Sequence, residues 1–132
     1  MAPSGMLRVL LFVCVLFFLC MGTAHFIGLK WPVLFVYFDT PFYAYQDRII
    51  SFTLVTYAAL FFAATRDTKV VPFALISIWS TVAGLAYING SSELADVLAD
   101  GQGTLIYWLQ TAALGGLAAV LTGLYLTSPK GA

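Results

Sequence analysis

The sequence predicts an all-α membrane protein, an antiparallel bundle of four transmembrane helices with a short interfacial helix between the third and the fourth. Four apolar runs, each about 17 to 23 residues long, are long enough for a helix to cross a hydrocarbon core of roughly 30 Å. The 132 residues are 61% hydrophobic and only 9% charged, whereas soluble domains carry roughly 25% charged residues. Nearly every charge lies between the runs. We therefore expect one domain over residues 1–132, with approximate spans 7–29, 41–65, 70–89 and 104–127.

The first span has two interpretations. Arg8 supplies a basic flank, an apolar stretch follows, and residues 22–24 are small, so residues 1–24 resemble a cleavable secretory signal peptide. Hydrophobicity nevertheless continues beyond residue 24 to Leu29, and an uncleaved helix that ends near Lys30 explains this continuation. We favour the retained helix, which an N-terminal tag detected on the mature protein would support.

A short aromatic segment precedes the second span. Residues 33–38 are too few to cross a bilayer, and irregular backbone is not exposed to hydrocarbon. We therefore expect this segment to lie at the outer interface or to fold over the bundle. Asp39 or Thr40 can cap the free N–H groups of a helix whose first turn contains Pro41.

The third span has clear boundaries. Pro72 fits a first turn, where its missing N–H group costs nothing, and Asn89-Gly90 is a typical helix end. The pattern of residues 92–99 predicts a short amphipathic helix on the outer surface, which Gly101 terminates.

The fourth span carries the clearest packing signal. Small residues recur there every four positions, and the third span has a comparable small face. Such faces allow close helix approach in lipid, where van der Waals packing replaces the hydrophobic effect. We expect the two faces to meet within the chain or to contact another subunit. The residues concerned are Ser77, Thr81 and Gly84 on the third span and Thr111, Gly115, Ala119 and Gly123 on the fourth.

The distribution of charges predicts the orientation. Four of the six Lys and Arg residues lie at the N-terminus, between the second and third spans, or in the C-terminal tail. By the positive-inside rule, both termini are cytoplasmic in a membrane of the bacterial inner-membrane type. The opposite side then holds five of the six acidic residues.

Ionisable residues near the outer helix ends are the candidate catalytic or binding groups. His25 is the single histidine, and a histidine beside a carboxylate can relay protons or bind a metal. Arg48 could hold an anionic substrate. The plainer interpretation is that His25 is hydrated or hydrogen-bonded at the interface and that Asp47 and Arg48 form a polar pair at the rim. The candidates are His25, Asp47, Arg48 and Glu93, with Asp39, Tyr43 and Tyr57 as further ligand-binding candidates.

Several classes of function are excluded by the composition. The net charge is zero, and no cluster of Lys and Arg along the sequence could hold nucleic acid or anionic lipid. Haem held by two histidines needs a second histidine, and no nucleotide-binding loop or zinc-protease motif is present. We expect neither a cofactor nor a metal.

The layout resembles the small, poorly characterised four-helix membrane proteins of the DoxX-like type. The shared features are the chain length, the four spans, Arg48 at the start of the second helix and the Asp100-Gly101 pair between the third and fourth. This resemblance covers the outline of the whole chain; it implies a four-helix bundle and brings no substrate or catalytic residue.

Three functions remain open. Strong packing faces and no acid in mid-membrane favour a non-catalytic accessory or assembly subunit, or a self-associating scaffold, whose partners are the bilayer and other membrane subunits. The alternative is a small enzyme or transporter that acts on a lipid-soluble or cationic ligand at the outer face. A passive pore between subunits would need Ser77, Thr81 or Gln110 to face water.

Overall fold

The computed structural model describes residues 2–3, 5–31 and 38–128. Five α-helices lie within these ranges, in the order α1 (Gly5–Ile27), α2 (Tyr43–Arg66), α3 (Val71–Asn89), α4 (Ser92–Ala95) and α5 (Leu105–Thr127), and a 3-10 turn (Thr68–Val70) precedes α3. The described residues contain no strand.

Four helical segments are long and apolar enough to cross a membrane. They are Gly5–Ile27, Tyr43–Arg66, Thr68–Asn89 and Leu105–Thr127, the third combining the 3-10 turn with α3. The all-helical class and the four segments of spanning length are therefore confirmed. Residues 33–37 of the segment 33–38, which we expected at the interface or over the bundle, lie outside the described residues.

The start of α2 differs from expectation. The helix begins at Tyr43, and its N-cap residue, Phe42, has a left-handed conformation with φ 63° and makes no capping hydrogen bond through its side chain. The expected cap by Asp39 or Thr40 is wrong, because the Asp39 carboxylate forms an ion pair with Lys30. The Thr40 carbonyl accepts a hydrogen bond from the Tyr43 N–H instead, which makes a turn before the helix.

The segment between α3 and α5 is more irregular than its pattern predicts. The third helix ends at Asn89, as expected. The Ser91 hydroxyl accepts from the Leu94 N–H and so caps α4. That helix stops at Ala95, however, and turns replace its expected continuation to residue 99.

The core lies where α1 and α3 pack against α2 and α5. Its largest fully buried side chains are Phe61, Leu7, Leu11, Ile78 and Leu121. Large apolar side chains are also exposed on all four long helices, for example Phe12, Phe52, Ile76 and Leu109. A soluble domain seldom exposes so much apolar surface, and a bilayer would cover it.

The small-residue faces divide into an internal part and an open part. A Cβ added at Gly115 would lie 3.6 Å from Val82 Cγ1, so this glycine allows α3 to approach α5. The Asn89 amide donates to Thr111 Oγ1 at 2.8 Å in the same interface. Gly84 and Gly123 are exposed, and no described atom lies within 4 Å of the Cβ position at either. The neighbouring Ala119 is exposed as well.

Candidate functional site

A histidine and an aspartate meet where α1 ends and α2 begins. His25 lies in the last turn of α1, and Asp47 is the fifth residue of α2. The Nδ1 atom of His25 is 3.0 Å from Asp47 Oδ1, and the two side chains are only 12% and 8% exposed. With the carboxylate ionised, Oδ1 accepts from the imidazole Nδ1–H, and this bond orients the ring.

The second oxygen of the same carboxylate has no hydrogen-bond partner among the described residues. Asp47 Oδ2 is buried, and none of the groups in the described ranges donates a hydrogen bond to it. The residue as a whole is 5% exposed. A buried charged oxygen without a donor costs several kcal/mol, so native proteins satisfy nearly all such atoms. An ionisable group held in this way in a membrane-type helix is a candidate site.

A close helix contact sets the register that brings the pair together. Gly22 lies one turn before His25, and a Cβ at this position would be 3.2 Å from the Ser51 carbonyl oxygen of α2. Ser51 lies one turn after Asp47, is buried, and donates its hydroxyl to the Arg48 carbonyl at 2.7 Å. A Cβ at position 22 would require α1 and α2 to move apart by a few tenths of an ångström at this contact.

An open groove lies one turn from the pair. It has a volume of about 200 Å³, and Gly22, Thr23 and Phe26 of α1 face Ser51 and Phe52 of α2 across it. The Phe26 and Phe52 rings meet edge to face, with their centroids 6.2 Å apart. Its walls are mostly apolar, and neither His25 nor Asp47 is among the residues that line it.

The other candidates lie apart from the pair. Arg48 is exposed, and no ion pair joins it to Asp47 within the described part of the chain. Glu93 is exposed on α4, where its backbone N–H and then the Ser91 hydroxyl lower the pKa of its carboxyl below the ordinary value. The expected rim pair of Asp47 and Arg48 is therefore wrong, because Asp47 points to His25 and Arg48 points outward.

Asp39 and Tyr43 belong to a second, more exposed group. Lys30 forms the ion pair with Asp39, and its ammonium lies 4.5 Å from the centroid of the Tyr43 ring. Lys30 was not among the site residues that the sequence pattern indicated. Its position directly after the first apolar run was the available signal.

Tyr57 lies deeper in the bundle and connects two helices. The Thr81 hydroxyl donates to the Ser77 carbonyl at 3.0 Å, so its oxygen can accept from the Tyr57 hydroxyl. These three residues therefore bond to one another between α2 and α3.

A metal centre is not built from the described side chains. No group of three or more His, Cys, Asp or Glu residues is close enough there to hold an ion. His25 and Asp47 supply two ligands, fewer than the three or four protein ligands of zinc sites.

Comparison of the chain with protein-family models, with curated proteins and with solved structures finds no match. The geometry of the site is therefore the guide to its function.

Proposed function

We propose that this chain is a multi-pass membrane protein that binds or carries a small cationic, lipid-soluble ligand at the His25–Asp47 pair. The observation that supports this most directly is the buried Asp47 Oδ2, to which no described group donates a hydrogen bond. A ligand ammonium group would supply the missing N–H donor and the opposite charge together. Such a charge-assisted bond is stronger than a neutral one, and the low dielectric of the interior strengthens it further.

The geometry of the pair gives His25 and Asp47 different roles. His25 holds Oδ1 through Nδ1 and so aims Oδ2 away from the ring. The apolar walls of the neighbouring groove would accept the organic part of the ligand.

The proposal places the site on the outer side of a bacterial-type inner membrane, with both termini cytoplasmic. The excess of Lys and Arg at the opposite helix ends supports this orientation. Accessibility of a cysteine introduced at the exposed Asp96 to an impermeant thiol reagent in intact cells would test it.

The binding proposal is tested with benzylamine and its uncharged analogue benzyl alcohol. Full-length protein in mild detergent is titrated with each compound by calorimetry. We expect benzylamine to bind more tightly than benzyl alcohol, and Asp47→Asn to weaken benzylamine binding by at least about thirtyfold, since a buried partner charge is worth about 2 kcal/mol or more.

The matched control is Asp96→Asn, which removes an exposed carboxylate from the same chain. It should leave benzylamine affinity unchanged. Equal affinity of wild type and Asp47→Asn for benzylamine, with both proteins folded by circular dichroism, would rule out the binding role.

A non-catalytic accessory or self-associating subunit is the second candidate. The open part of the small-residue face favours it, because Gly84, Gly116 and Gly123 each meet no described atom within 4 Å of the Cβ position. Smooth faces of this kind let a second helix approach closely. Gly115 is excluded from the test, because its contact with Val82 belongs to the fold of one chain.

The double variant Gly116→Leu with Gly123→Leu is expected to reduce an oligomer to a monomer, because two large side chains would block close approach. Light scattering after size exclusion in mild detergent measures the mass. Leucine at the two exposed alanines Ala59 and Ala63 of α2 is the control and should leave the mass unchanged. An unaltered mass in the glycine variant would eliminate this face as an assembly surface.

A further inference from the structure

A basic groove lies at the opposite end of α1 and α2 from the His25–Asp47 pair. It has a volume of about 540 Å³ and lies between the beginning of α1 and the end of α2. Arg8 comes from α1 and Arg66 from the last turn of α2, and both side chains line the groove. Arg8 and Arg66 are far apart in the sequence, so the sequence itself shows no cluster of basic residues.

Both guanidinium groups lack an acidic partner among the residues that the structure describes. Arg8 is the fourth residue of α1, and the first turn of that helix contains no acid. A cation near a helix N-terminus is unfavourable unless an anion offsets it. Arg66 lies over the Phe62 ring, with its Cζ 4.9 Å from the centroid, so its side chain has a fixed support.

The remaining walls of the groove are apolar. Val9, Phe12 and Val13 of α1 and Phe62 of α2 line it, and all four are exposed in the chain. Phe12 lies one helical turn beyond Arg8, toward the middle of the span. The groove therefore has a cationic rim at the helix ends and an apolar floor that runs toward the bilayer interior.

We propose that this groove binds one anionic phospholipid. Its phosphate would lie between Arg8 and Arg66, where arginine can donate two parallel hydrogen bonds to phosphate oxygens. One acyl chain would lie along Phe12 and Val13. A free phosphate would use the rim and leave the apolar floor uncovered, so the combination fits a lipid. The site does not depend on the function proposed for His25 and Asp47.

The test compares phosphatidylglycerol with phosphatidylcholine of identical acyl chains. Full-length protein in detergent is titrated with each lipid, and the bound lipid is counted by native mass spectrometry. The wild type should prefer phosphatidylglycerol. Each basic side chain near a charged lipid surface is worth about fivefold in affinity, so Arg8→Gln with Arg66→Gln should weaken phosphatidylglycerol binding about thirtyfold.

Further measurements separate binding in this groove from adsorption of lipid elsewhere on the protein. Arg48→Gln removes an exposed arginine near the start of α2 and should keep the preference. Lysine at positions 8 and 66 should restore most of the preference for phosphatidylglycerol. Binding of phosphatidylcholine should be equal in all folded variants. Loss of the preference in Arg48→Gln, an unchanged preference in the double glutamine variant, or displacement of the lipid by inorganic phosphate would each overturn the proposal.

Discussion

Replacing His25 with leucine is expected to lower the free energy of unfolding by about 3–5 kcal/mol, the cost of leaving one buried charge without its partner. Asp47 is 5% exposed, and His25 supplies the hydrogen bond to Oδ1. In His25→Leu both carboxylate oxygens would be buried without a donor among the described groups. Unfolding by a denaturing detergent, followed by circular dichroism, gives the measurement.

The double variant His25→Leu with Asp47→Leu is the matched control. Removing both members of a buried pair is often neutral or stabilising, so most of the lost stability should return. If benzylamine binding is still absent from this stable protein, the pair serves function and not folding. A loss of less than about 1 kcal/mol in His25→Leu would mean that water reaches Asp47, contrary to its burial.

The helices were predictable because run length and helix-breaking residues act locally. Asn89-Gly90 ends α3 for reasons contained in those two residues and their neighbours. The start of α2 was not predictable in this way. Asp39 could have capped the helix. Its carboxylate instead forms an ion pair with Lys30, which lies nine residues earlier, at the end of the first apolar run. The capping preference and such an ion pair are each worth about 1 kcal/mol, so local sequence alone does not decide between them.

The candidate site was predictable in its members but not in their arrangement. His25 and Asp47 could be named because ionisable residues near apolar runs are few. Their pairing depends on the helix register that Gly22 permits by its close approach to Ser51. Register arises from many weak contacts along α1 and α2, so the sequence alone left both a buried pair and an exposed rim pair open.

The basic groove is the opposite case, because the distribution of charges along the sequence excluded a class of ligand that the groove could bind. Anionic lipid was set aside because Lys and Arg form no run along the chain. The fold brings Arg8 and Arg66 to one groove from the first and second long helices. An absent cluster in sequence therefore says little about charge in a helical hairpin, where the start of one helix adjoins the end of the next.

Replacing Phe61 with alanine is expected to lower the free energy of unfolding by about 2–3 kcal/mol, less than the roughly 3–5 kcal/mol typical of a water-soluble core. Phe61 is 0% exposed, and its ring centroid lies 5.0 Å from that of Phe18. In lipid the unfolded helices stay in hydrocarbon, so the transfer contribution disappears and the cost of the cavity remains.

Phe73→Ala, at an exposed position on α3, is the control and should change stability by less than about 0.5 kcal/mol. Denaturing-detergent titration of both variants in the same mixed micelles gives the comparison. Equal losses in the two would show that the contact between α1 and α2 does not carry the stability, whereas a loss near the soluble-core value for Phe61→Ala would mean that the helices exchange lipid for water when they separate.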